Sequence, residues 1–210
     1  MHLERAQELI PTLEHRLGLV APPIIAEYLL ARREPDAALE LVSRTLIDHS
    51  ADPRVIDEML VWGARAAADL AETARDRHDP TTLETAGATL DELVASREKL
   101  PRPPFEVLVP EDKVQPAMQA LFQAEIQRCA AQAPTSDAWR NATHKCEAAA
   151  MRWEQAIASW WWAQALLAEG AGRSAIAAPL RSAPLCSRSR GRSLARHHRR
   201  ARCQLPDLPR

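Results

Sequence analysis

Aromatic side chains are scarce in this chain, at 4% of its 210 residues, and glycine appears only 6 times. Short β-branched runs, the raw material of strands, are almost missing. Alanine and leucine dominate instead, and both give up little rotamer freedom in a helix, so the composition predicts an all-α protein. No apolar stretch approaches the ~20 residues needed to cross a bilayer. The opening Met1-His2-Leu3-Glu4-Arg5 has no basic-then-apolar pattern of a signal peptide, so a cytoplasmic chain without membrane contact is expected. Cysteine is absent from the first 128 residues, and Cys129, Cys146, Cys186 and Cys203 form no C-x-x-C pair. That spacing predicts reduced, unpaired thiols rather than a disulfide framework. No G-x-x-x-x-G-K-[ST] occurs, which excludes a P-loop phosphate cradle.

What is present is a succession of amphipathic segments with clear punctuation. Leu3, Leu9, Ile10, Leu13 and Leu17 outline an opening helix interrupted at Pro11, and Ile24, Ile25, Tyr28 and Leu29 outline the next. Three later starts share one device, Glu34-Pro35, Asp52-Pro53 and Asp79-Pro80. The acidic residue can accept from free backbone N–H groups, while proline fixes the first helical φ at a position whose N–H would have no partner. Prolines 101, 103, 104 and 110 make residues 99–110 an extended connector. Helical spacing returns with Val114, Met118, Leu121, Phe122 and Cys129. Ser136 is a candidate N-cap for a helix carrying Trp139, Ala142 and Cys146, and a last helix carries Trp153 to Leu167 and stops at Gly170 or Gly172. The expected organisation is therefore N-terminal helical repeats over 1–98, a connector over 99–110, C-terminal helical repeats over 111–182 and a basic disordered tail over 183–210. Short turns between successive helices favour antiparallel pairs in a repeat array over a closed four-helix bundle.

The net charge of −1 conceals two unlike compositions. Residues 1–172 carry 17 basic and 27 acidic side chains, a balance of −10, whereas residues 173–210 carry 10 arginines and the single acid Asp207, a balance of +9.

Candidate sites divide along the same line. Three consecutive residues on a helix span about 200°, so Trp160, Trp161 and Trp162 cannot all enter one core. Trp160 and Trp161 are expected on the core face with Trp153, Ala156, Ile157 and Leu167, and Trp162 on another. Core packing plus a contact with a further repeat accounts for the run, with a partner groove as the alternative. Adjacent acids such as Asp57-Glu58, Asp91-Glu92 and Glu111-Asp112 diverge by about 100° and read as solvated faces, not acid–base pairs. His144 with Cys146, and His197 and His198 with Cys186 and Cys203, match no metal-ligand spacing. No metal, cofactor or catalytic group is assigned, and the chain is read as a non-enzyme.

One stretch has a more particular character. Asp137-Ala-Trp139, Cys146, Met151-Arg-Trp153 and Trp162-Ala-Gln-Ala-Leu-Leu-Ala-Glu-Gly170, followed by Ala175 and Leu180-Arg181-x-Ala183, resemble a tetratricopeptide-like helix pair. Together with Arg33-Glu-Pro-Asp-Ala-Ala-Leu-Glu-Leu-Val42 and Asp57-Glu-Met-Leu-Val-Trp-Gly-Ala-Arg65, they resemble the repeat region of large actinobacterial LuxR-type transcriptional regulators over roughly residues 20–182. The resemblance implies helical repeats that contact a protein partner or neighbouring domains. The family's ATP-binding domain and helix-turn-helix DNA reader have no counterpart in these residues.

Residues 179–210 contain no Glu, Lys, Val, Ile, Phe, Met or Trp. Arg, Ser, Pro, Ala, His and Cys are what GC-rich coding DNA yields out of frame, so a shifted frame near residues 178–185 is one expectation. The other is a stand-alone adaptor whose Arg196, Arg199, Arg200 and Arg202 contact nucleic acid or acidic partners without sequence preference.

Overall fold

The computed structural model describes residues 21–48, 53–99, 113–130 and 136–182. These form eight helices: α1 (Ala21–Ala31), α2 (Pro35–Asp48), α3 (Pro53–Arg77), α4 (Pro80–Lys99), α5 (Val114–Ala130), α6 (Ser136–Ala148), α7 (Arg152–Ala168) and α8 (Arg173–Ser182). No strand occurs among the described residues, and the protein is all-α. The opening helix expected over residues 3–17, Asp52, the connector beyond Lys99 and the arginine-rich segment from 183 lie outside the described residues.

Helix starts follow the proline signals. α2, α3 and α4 each begin on the proline that marks them, Pro35, Pro53 and Pro80. At α4 the cap is complete: Asp79 Oδ1 accepts from the Thr82 backbone N–H at 3.1 Å, and Oδ2 accepts from the Thr82 hydroxyl at 2.7 Å. These bonds hold the Asp79 carboxyl below its ordinary range. Ser136 departs from expectation. It is the first residue of α6, and its N–H and hydroxyl donate to Glu169 at 2.7 Å each, so it ties the start of α6 to the end of α7.

Four helix ends share one geometry, and only the one at Gly170 is marked in the sequence. Arg33, His78, Ala150 and Gly170 have φ of 63°, 55°, 57° and 73°. In each case the next N–H returns to the carbonyl five residues back: Glu34 to Leu29, Asp79 to Ala74, Met151 to Cys146 and Ala171 to Leu166. These are Schellman ends, which close the orphan carbonyls of the last turn and reverse the chain within three or four residues. Glycine takes this conformation without steric cost, yet three of the four positions carry a side chain.

Packing is mostly between neighbours in sequence, and α3 is the hub, contacting α1, α2, α4 and α5. Its buried residues are large in the first half, from Val55 through Met59 and Leu60 to Trp62, and alanine in the second, where Ala64, Ala67, Ala68 and Ala71 are fully buried. Alanine offers little area, so cohesion requires close helix approach. Gly63 permits it: a Cβ there would lie 3.0 Å from Val42 of α2 and 3.0 Å from Leu93 of α4. One core cluster runs from Ala26 through Ala165 and so joins helices on both sides of the proline connector.

Two predictions follow from the helix ends and caps. Ala150 is exposed, so Ala150→Gly removes the left-handed strain without losing a contact. It should stabilise the fold by about 0.5–1 kcal/mol in urea unfolding, whereas Gly170→Ala should destabilise it. Asp79→Ala should lower the melting temperature at neutral pH. Because the Asp79 pKa is depressed in the fold, its contribution is present above the unfolded value of 3.8 and disappears as pH falls through the folded value. The gap between wild type and variant should therefore close in acid, and a gap independent of pH would refute the cap assignment.

Candidate functional site

The conspicuous tryptophan run sits on α7, between α6 and α8. The small or polar residues Gln155, Ala158, Ser159, Ala163 and Ala165 form the buried face of this helix. Trp161 and Trp162 pack against the core, while Trp153, Trp160 and Leu167 are 41%, 43% and 54% exposed. This corrects the face expected from periodicity, which placed Trp160, Trp153 and Leu167 inward and Trp162 elsewhere. The reason is that α7 is apolar on more than one side, and its close approach to neighbours selects the small residues. Trp161 stacks on Trp139 with centroids 5.9 Å apart, and His144 meets Trp162 edge to face.

Trp161 also receives the Arg128 guanidinium, 4.2 Å above its ring. Arg128 is buried, with 2% of its side chain exposed, and is held by three carboxylates. Its Nε donates to Glu125 at 2.7 Å, one Nη to Glu72 at 3.0 Å, and the other to Asp69 at 2.7 Å and to the Arg65 carbonyl at 3.2 Å. Burial opposes the charge, but Glu125, Asp69 and Glu72 outweigh it and raise the pKa of Arg128. Nearby, Arg75 donates to the Cys129 carbonyl. The guanidinium thus bridges α3, α5 and α7.

Beside this network lies a cleft lined by Glu58, Trp62 and Arg65 of α3, Met118, Leu121 and Glu125 of α5, and Glu154 and Ile157 of α7. It spans about 360 Å³ counting the open solvent at its mouth, so it is an open slot rather than an enclosed chamber. Arg65 lies 5.4 Å over the Trp62 ring and 3.4 Å from Glu125. Glu27 of α1 adjoins the same group, accepting a hydrogen bond from the Trp153 side chain.

Spacing along the sequence could not reveal this convergence, because Glu27, Glu58, Glu125 and Glu154 come from four helices. Asp57-Glu58 does diverge, as adjacent residues must, but Glu58 then meets acids from elsewhere. His144 and Cys146, whose spacing matches no metal site, are also set apart in the fold: His144 is exposed and Cys146 is fully buried. Burial pushes the Cys146 thiol up to about 12, aided by Glu154, and raises Cys129 as well, which leaves both thiols unreactive. Among the described residues no three His, Cys, Asp or Glu are placed to hold a metal, and no helix is long and apolar enough to cross a membrane. Arg196, Arg199, Arg200 and Arg202 lie outside the described residues.

Comparison with family models, with curated proteins and with solved structures returned no match to the chain.

The Arg128 network gives a sharp test. Arg128→Met should cost about 3–5 kcal/mol in urea unfolding, because it strands the buried Glu125 carboxylate with Arg65 alone. Adding Glu125→Leu should recover much of that loss, since an apolar pair of similar size no longer contains an unmatched charge. A single-variant cost below about 1 kcal/mol, the range of exposed pairs, would remove Arg128 from its structural role.

Proposed function

We propose that this protein is a non-catalytic helical-repeat interaction module, derived from the repeat region of a LuxR-type transcriptional regulator, with no recognisable ATP-binding or helix-turn-helix unit within these residues. The observation that supports the reading most directly is the stripe of Trp153, Trp160 and Leu167 along α7. These residues recur every seven positions, close to two helical turns, so they form one line of exposed large apolar side chains. Scattered single apolar residues on a surface need no explanation, but an aligned set on one helix does. In a stack of helical repeats each unit covers a face of its neighbour, and an aligned apolar stripe is the kind of face such a neighbour covers. Tryptophan is also the side chain most enriched at interface hot spots.

The partner chemistry that fits is another amphipathic helix, of the kind a following repeat would supply. The coding DNA beyond codon 178, translated in its other two frames, is expected to continue an alanine- and leucine-rich helix. A peptide of that helix should bind the full chain. Trp160→Ser should weaken the binding about tenfold or more, while leaving the chain folded, because nearly half of this side chain is exposed to solvent. Absence of such a helix in both frames, or equal binding to wild type and variant, would sink the proposal.

A further inference from the structure

The apolar stripe along α7 is electrically lopsided. From residue 155 to residue 168 the helix has no charged side chain. At the Trp153 end, carboxylates from three helices gather instead. Glu27 of α1 accepts a hydrogen bond from the Trp153 side chain, Glu154 follows Trp153 in α7, and the charges of both act on Glu58 of α3. Each of these acids is half-buried and so keeps a face to solvent. At the Leu167 end the acid Glu169 is already engaged, its two oxygens accepting from the Ser136 N–H and hydroxyl at 2.7 Å each.

The nearby cations do not balance the Trp153 end. Arg65 acts on Glu27 but also lies 3.4 Å from Glu125 and over the Trp62 ring. Arg152 precedes Trp153, yet it stands two residues from Glu154, about 200° away round the helix. Burial raises Glu58 and Glu27, and repulsion from Glu154 pushes both the same way. Like charges held together on a half-buried surface favour an approaching cation.

Resting on the reading of this stripe as a docking face, we propose that its partner is an amphipathic helix with arginine or lysine at the end that covers Trp153 and apolar side chains over Trp160 and Leu167. The basic side chains lie across Glu27, Glu58 and Glu154 at the surface, and nothing has to enter the slot between α3, α5 and α7. Charge complementarity also discriminates against a second copy. A two-fold antiparallel pairing centred on Trp160 brings the second copy's Leu167 to Trp153, and the charged residue beside it is the acid Glu169. A parallel pairing sets the carboxylates against their own copies. Like charges facing one another across an interface reject a partner. The acids therefore fix which way round the partner lies, while the tryptophans supply most of the burial.

A pair of synthetic peptides tests this on the full chain. Both are amphipathic alanine–leucine helices of about five turns, one ending in a cluster of arginines and the other in glutamines at the same places. The arginine peptide should bind about tenfold tighter at low ionic strength, and added salt should bring it down to the level of the glutamine peptide. Glu27→Gln, Glu58→Gln and Glu154→Gln combined should remove the advantage and leave the glutamine peptide unaffected. Glu154→Gln alone should remove part of it, a readout that stands even if the triple variant folds poorly. A nitroxide at the arginine end should broaden the amide signals of residues 24–27 and 153–156 in preference to those of 165–168. Equal binding of the two peptides, both weakened by Trp160→Ser, would overturn the charge assignment and leave the docking face standing. Failure of both to bind, or binding indifferent to Trp160→Ser, would take the docking face down with it. Broadening at the Leu167 end would refute the orientation. Self-association of the chain that Trp160→Ser abolishes would make a second copy the occupant and refute the proposal too.

Discussion

A single buried guanidinium ties three helices of this fold, α3, α5 and α7, to one another. Arg128 reaches from α5 to Asp69, Glu72 and the Arg65 carbonyl on α3, pairs with Glu125 on its own helix, and lies against Trp161 of α7. A cation in such a place survives only because every side of it is occupied by a carboxylate, a carbonyl or an aromatic face. The surrounding apolar contacts, in which alanines alternate with Met59, Leu121, Phe122 and Trp139, are not directional, whereas the bonds of Arg128 are, so they add a fixed register to the position of α5 along α3.

The same geometry explains why the acidic slot exists. α3 contributes Glu58 about three turns and Arg65 about one turn before Asp69, so the helix that supplies the Arg128 partners also supplies one wall of the slot. Seating α5 and α7 against that helix brings Glu125 and Glu154 to the other walls. The carboxylates were not gathered by a local motif. They converge because three helices are locked at one level, and Arg65 sits where the two groups meet.

Legibility in the sequence followed the range of the interaction. Proline at 35, 53 and 80 acts on its own residue and its immediate neighbours, so the starts of α2, α3 and α4 could be read directly. Glycine at 170 marked the end of α7 for the same reason. The ends at Arg33, His78 and Ala150 could not be read, because those side chains take a conformation they do not favour and the hydrogen bonds and following helix compensate. Glu125 and Arg128, three residues apart, look like any solvated pair on a helix, and only the arrival of α3 buries them. On α7 the apolar pattern was real but ambiguous. Which of its faces turned inward depended on α6 and α8, whose contribution no period within residues 152–168 could contain.

The half-solvated state of Asp69 and Glu72 has a bearing on biosynthesis. As the chain leaves the ribosome, α3 is complete more than fifty residues before Arg128 is added. Until then the two carboxylates have no Arg128 to pair with, and their charge keeps that side of an otherwise apolar helix hydrated. When Arg128 arrives, the groups that protected the intermediate become the anchors that close the finished molecule, so one pair of acids serves in turn as solubiliser and as latch.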